Sequence, residues 1–203
     1  MFRFNKDIGL FTLDRGKDTC IYSTSFCRAH CYNNKMYNAF SKRMYGRDIK
    51  NEEFWQHASG EDIYNTLLYK RHSTDRIRLC SRGEPFIDAS DVYRIGNWAS
   101  YMINTKILIF TKAWRNDIIK ELIELHLFKY STLFIFASLD PDTLQHYGQL
   151  KESGWRVTFF GDDNFQHNNF VKCPKTWEHK KDYCNKCNYC FNRWNKDIHF
   201  KMH

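Results

Sequence analysis

Eight cysteines are the residues of this 203-residue chain best suited to chemistry, and their spacing divides them. Cys20, Cys27 and Cys31 fall in one short stretch, Cys173, Cys184, Cys187 and Cys190 in another, and Cys80 stands alone. With no secretory signal, clustered cysteines read as metal ligands rather than disulfides. In the second set, Cys184, Cys187 and Cys190 are each two residues apart, with Cys173-Pro174 upstream. Four thiolates can close a tetrahedral zinc site or hold an iron–sulfur cluster. Zinc modules favour two separated cysteine pairs, whereas three thiols in one loop favour a [4Fe–4S] cluster, so zinc is the alternative at this C-terminal site. The first set has no fourth cysteine nearby. A cubane cluster on three thiolates leaves one iron open, the arrangement that S-adenosylmethionine (SAM) chelates through its amino and carboxylate groups. The competing reading is zinc, completed by His30 or Cys80.

The stretch Cys80-Ser81-Arg82-Gly83-Glu84-Pro85 follows a short apolar segment. Gly83 permits close backbone approach, and Glu84 offers an acceptor for the SAM amine; alone, Gly-Glu-Pro is equally a turn. Asp162 and Asp163 read as a polar turn. There is no phosphate-cradling glycine loop, no Gly-x-Ser-x-Gly elbow and no His-Glu-x-x-His.

The elements that must position these groups follow from periodicity. Residues 1–33 read as irregular. Helices are expected over 34–48, with Met36, Tyr37, Phe40, Met44 and Tyr45 on one face, and over 51–71, with Phe54, Ile63, Leu67 and Leu68. Strands are expected at 76–80, 106–111, 132–138 and 155–160, and helices at 88–103 and 115–128. A further helix is expected between an Asp140 N-cap with Pro141 at its first position and Gly154. Alternating strands and helices give an α/β fold, either a partial (β/α) barrel or an open, mainly parallel sheet. In both, ligands gather at the carboxyl ends of the strands. The expected division is an α/β body over 1–165 and a small Cys-rich, metal-stapled appendage over 166–203.

The chain carries 31 Lys and Arg against 23 Asp and Glu, a net +8, which suits an anionic partner. Residues 166–203 hold eight of the basic residues against three acids, together with Trp177, Tyr183, Tyr189, Phe191 and Trp194. Phosphate contact and base stacking are therefore a second reading: a nucleic-acid-binding module with structural metals. No apolar run is long enough for a membrane span or a signal peptide, so the expected compartment is the reducing cytoplasm and no membrane partner is expected.

The motifs around the cysteines resemble a phage-encoded family, the gene product 88 family, related to radical-SAM proteins. The likeness lies in Gly9-Leu10-Phe11-Thr12-Leu13 through Cys20, then Cys27 and Cys31-Tyr32. It continues in Arg78-Leu79-Cys80-Ser81-Arg82-Gly83-Glu84, Phe110-Thr111-Lys112, Trp114-Arg115, Ser138-Leu139-Asp140 and the four C-terminal cysteines. The resemblance implies that Cys20, Cys27 and Cys31 hold the SAM-binding cluster and that Gly83 and Glu84 take the methionine amine. It places Tyr32 near the adenine and Ser138 and Asp140 at the ribose. The implied activity is reductive cleavage of SAM to a 5′-deoxyadenosyl radical, with an electron donor as partner, in the cytoplasm of the phage host. Two departures bear on it. The spacing of the first three cysteines is not that of most radical-SAM enzymes, and Cys80 stands where relatives tend to have His. If Cys80 is a fourth ligand, the open iron is lost and the protein is an electron carrier or a structural iron–sulfur protein.

Overall fold

The computed structural model describes residues 2–202 except 32, 71, 163, 180–182, 194 and 195. Eight strands form one open sheet: β1 (Arg3–Asn5), β2 (Leu10–Leu13), β3 (Arg76–Leu79), β4 (Lys106–Thr111), β5 (Leu133–Leu139), β6 (Arg156–Gly161), β7 (Phe170–Lys172) and β8 (Asp197–Lys201). Their order is β1-β2-β3-β4-β5-β6-β8-β7. Only the β1–β2 pair is antiparallel. From β2 to β6 the strands follow chain order without reversal. Crossovers of one hand then place all the connecting helices on one face.

Those helices are α2 (Asn33–His57), α3 (Gly60–Leu68), α4 (Ala89–Tyr101), α5 (Asp117–His126) and α6 (Tyr147–Glu152); a short α1 (Ser25–Ala29) precedes them. The larger core joins Trp55, Ile63, Val92, Ile95, Trp98 and Ile123 of the helices to Ile107, Ile109, Ile135 and Val157 of the strands. Because strand side chains alternate, Leu108, Phe110, Phe134, Phe136, Ile198 and Phe200 face the other way. Bare, that second face would be a large apolar surface. Cys173, Trp177, Tyr189 and Phe191 from the C-terminal segment pack on it instead.

The C-terminal segment therefore does not stand beside the sheet. β7 and β8 complete it, β8 pairing with β6, and α7 (Pro174–Trp177) follows β7. The expected boundary at 165/166 falls inside one continuous sheet. The sequence Asp197-Ile198-His199-Phe200-Lys201 alternates as a strand should, a signal masked by the surrounding basic residues.

Other expectations shift for local reasons. The first long helix runs on to His57, with non-helical backbone at Phe40, and the break comes at Ser59. There a capping box, with Ser59 and Asp62 each bonding the other's backbone, starts α3. Tyr37 and Met44 are buried as expected, but Met36, Phe40 and Tyr45 are exposed. Residues 1–33 contain β1 and β2. Asp140 caps no helix: a 3-10 turn begins only at Leu144 and α6 at Tyr147, although Gly154 ends it in a left-handed turn.

Candidate functional site

The first cysteine set follows β2 and so lies at the carboxyl end of the sheet. Cys20 follows a 3-10 turn at Lys17–Thr19. Thr24 caps α1 by accepting from the Cys27 N–H at 2.9 Å, and Cys31 follows the helix. Side chains from the strand ends hold this segment. The Thr24 hydroxyl and the Lys112 ammonium each donate to Asp140 Oδ2 at 2.6 Å. The Phe26 N–H and the Ser25 hydroxyl donate to Asp142 at 2.8 and 2.9 Å. Arg115 donates to the Tyr22 carbonyl at 2.6 Å. Asp140, with Thr143 on its other oxygen, is thus an anchor of the cysteine segment, and it also lines the cavity.

Gly83 and Glu84 sit against the same segment. Gly83 has φ +82°, and a Cβ there would lie 2.8 Å from the Arg15 carbonyl carbon and from the Thr19 hydroxyl. The Glu84 N–H donates to Thr19 Oγ1 at 2.8 Å. The Glu84 carboxylate accepts from the Thr111 hydroxyl and from the N–H groups of Lys112 at 2.9 Å and Phe86 at 3.3 Å. Burial pushes this carboxyl up to about 7, against those hydrogen bonds, which favour the charged form.

A carboxyl raised from 4.5 to about 7 stabilises the fold below pH 4.5, and that contribution is lost as pH rises through 7. Its size is about 3 kcal/mol. Urea unfolding of the wild type should therefore show stability falling between pH 5 and pH 8 relative to Glu84→Gln. Parallel profiles for the two proteins would contradict this.

The second cysteine set is held from the opposite ends of the strands. Arg76, the first residue of β3, donates to the carbonyls of Asn185 and Cys187, both at 3.1 Å, and to Asn188 Oδ1 at 2.9 Å. Arg156, the first of β6, donates to the carbonyls of Cys190 at 3.2 Å and Tyr189 at 3.0 Å. Lys106, the first of β4, reaches the Phe191 carbonyl at 3.4 Å.

Between the two sets lies a cavity of about 610 Å³, and all eight cysteines line it. Such a volume suits a small-molecule site. All eight are free thiols. Burial pushes Cys20 and Cys184 up to about 12, and Cys80 and Cys190 well above the ordinary thiol range. Among the described residues, no group of three or more His, Cys, Asp or Glu is gathered closely enough to hold a metal ion as the side chains stand.

The residues nonetheless fit a thiolate-held centre in donor type and in partition. Cys20 feels Cys27, Cys31 and Glu84, whereas Cys190 feels Cys173, Cys184 and Cys187. Deprotonation on metal binding would remove the cost of these buried thiols. Cys80 belongs to neither group. It is buried in the helix-side core at φ +52°, and the charges that move it most are Asp14, Arg15 and Glu84.

Of the other expected site residues, Ser138 lines the cavity and its carbonyl accepts from Lys112 at 3.2 Å. Tyr32 and Asp163 lie outside the described residues. Lys112, Arg76, Arg78 and Arg156 carried no assigned role in the sequence. The signal was there: interior strands of a parallel sheet are apolar on both faces, so the alternating arginines of Arg76-Ile77-Arg78-Leu79 call for a partner across the sheet. The expected stacking aromatics are partly committed elsewhere. Phe191 is buried on the sheet, Trp177 packs on it beneath Lys172 and Lys201, and Trp194 lies outside the described residues.

Fold and site together define an α/β protein with an open, mostly parallel sheet and a thiol-lined cavity across the face that its helices leave free. Compared with protein-family models, curated proteins and solved structures, the chain matches none. Among the described residues, no helix is long and apolar enough to cross a membrane.

Proposed function

We propose that the chain is an iron–sulfur protein of radical-SAM type. Cys20, Cys27 and Cys31 would hold a [4Fe–4S] cluster with an open iron, and Gly83 and Glu84 would receive the methionine amine of SAM. Cys173, Cys184, Cys187 and Cys190 would hold a second centre, a [4Fe–4S] cluster or zinc. The observation that carries the reading is the hydrogen bond from the Glu84 N–H to Thr19 Oγ1 at 2.8 Å, one residue before Cys20, which sets the Glu84 carboxylate beside the three-cysteine segment at the strand ends. A cluster held there and reduced by an external donor would supply the electron for reductive cleavage of SAM to methionine and a 5′-deoxyadenosyl radical.

The chain's own residues do the rest. Glu84 has three donors fixed on it and room for a fourth, the amine. It binds a cationic amine only when ionised, so SAM affinity should fall as pH drops below 7. The Lys112–Asp140–Thr24 network fixes the segment from which the three thiols project. Cys80, packed in the helix-side core, would remain a thiol outside the cluster and leave one iron open.

The test is titration of the reduced, anaerobically reconstituted protein with SAM, read by electron paramagnetic resonance and by 5′-deoxyadenosine formation. A signal that shifts on SAM addition in the wild type, with deoxyadenosine produced, is expected. No shift in the wild type and a shift in Cys80→Ala would place Cys80 on the cluster and make the protein a carrier.

A further inference from the structure

On the face that bears the cavity, the cations at the strand starts are already engaged. Arg76, Lys106 and Arg156 bond the carbonyls of the C-terminal cysteine loop. Arg78 differs from all three. It lies two residues beyond Arg76 on the same face of β3 and lines the cavity. No hydrogen bond or ion pair reaches any of its nitrogens among the described residues, and its Nε is buried. Its guanidinium carbon lies over the ring of Phe110, 4.8 Å from the centroid. Phe110 in turn meets Phe200 edge-on at 5.3 Å. Leu108, Thr158 and Phe160 complete this part of the wall.

A cation with an unmet buried donor, set against an aromatic ring inside a cavity, is a recognition element. A guanidinium fork matches carboxylate and phosphate, and the rings beside it match a flat apolar body. We propose that Arg78 anchors the anionic group of a substrate, a carboxylate or phosphate on an aromatic or similarly flat body, between the two thiol sets. The inference rests on the reading of this cavity as a substrate-holding site. Its alternative is that Arg78 only neutralises the thiol set next to it, since Cys184 feels its charge.

Ligand-observed NMR on the full chain tests it, with benzoate, phenyl phosphate, inorganic phosphate and the neutral benzyl alcohol as probes. Both aromatic anions should bind the wild type at least about tenfold more tightly than benzyl alcohol does. Arg78→Met should weaken the anions by about tenfold or more while leaving benzyl alcohol within about twofold. Arg78→Lys, which keeps the charge without the fork, should fall between and carries the test if Arg78→Met does not fold. Tighter binding of phenyl phosphate than benzoate would assign the group as phosphate, and the reverse as carboxylate. Equal affinity for anion and alcohol, no anion binding, or anion binding unchanged in a folded Arg78→Met would overturn the proposal. Inorganic phosphate binding as tightly as phenyl phosphate would overturn the flat body. The same titration in Cys27→Ala separates the two readings, because anion binding should survive there while deoxyadenosine formation is lost.

Discussion

Gly83→Ala should destabilise the protein by about 3 kcal/mol and disturb the first thiol set at the same time. Two costs add. The left-handed backbone at φ +82° costs an L residue about 1–2 kcal/mol. The new Cβ also meets the Arg15 carbonyl at 2.8 Å, a backbone contact that cannot rotate away, and overpacking of this kind costs about 1–3 kcal/mol. Arg15 cannot retreat, since its own N–H donates to the Arg82 carbonyl at 3.1 Å. Gly83 also packs against Thr19, the residue before Cys20, so any shift there disturbs the first thiol set and metal retention should fall along with stability. Gly148→Ala is the control. A Cβ there meets nothing within 4 Å, and the site is helical, so stability should rise by up to about 1 kcal/mol. Urea unfolding of both variants checks the pair. A Gly83→Ala protein as stable as the wild type would contradict the crowding argument.

Asp91→Ala should be more damaging, at about 3–5 kcal/mol, because it removes the more buried of the two carboxylates that pair with a buried cation. Arg15 is fully buried, and it donates to Asp91 Oδ2 at 2.8 Å and to both oxygens of Glu52. Asp91 also accepts from Trp55 Nε1 at 2.8 Å, Arg94 Nη1 at 2.5 Å and the Ile87 N–H at 2.9 Å. One carboxylate therefore ties α2, α4 and the loop after β3 together. Glu52 has a side chain 34% exposed, so water can replace it, and Glu52→Ala should cost only about 1 kcal/mol. Equal losses from the two variants would show that burial does not decide the size of the effect.

These interior pairs also bear on the net charge of +8. Arg15, Arg82 and Lys112 pair with buried carboxylates, and Arg76 and Arg156 hold backbone carbonyls. The three ion-paired cations cancel against their own carboxylates and leave the +8 unchanged, so only cations that hold backbone carbonyls, such as Arg156, count as internal basic excess.

The middle of the fold was legible because its signals are local. Strands β4, β5 and β6 are apolar runs of the right length, and α4 buries Val92, Ile95, Trp98, Ala99 and Met102 as its periodicity requires. What escaped the sequence depends on distant partners. β1 and β2 are too short for a periodic signal, and the pairing of β2 to β3 spans more than sixty residues. Asp140-Pro141 has the local pattern of a helix start, yet Lys112 and Thr24, far away in the chain, occupy its carboxylate. The proposed partition of the cysteines rests on their spacing. That both sets face one cavity could not be read from spacing, because it follows from the C-terminal segment folding back over a face the helices do not cover.

Iron, acid-labile sulfide and zinc content per chain, measured on protein prepared without oxygen, tests the central claim most directly. Iron and sulfide in nearly equal amounts are expected. The content should drop in Cys27→Ala, and the part assigned to Cys173, Cys184, Cys187 and Cys190 should be retained there. Zinc without sulfide at the first set, or a single variant that empties both sets together, would contradict the account.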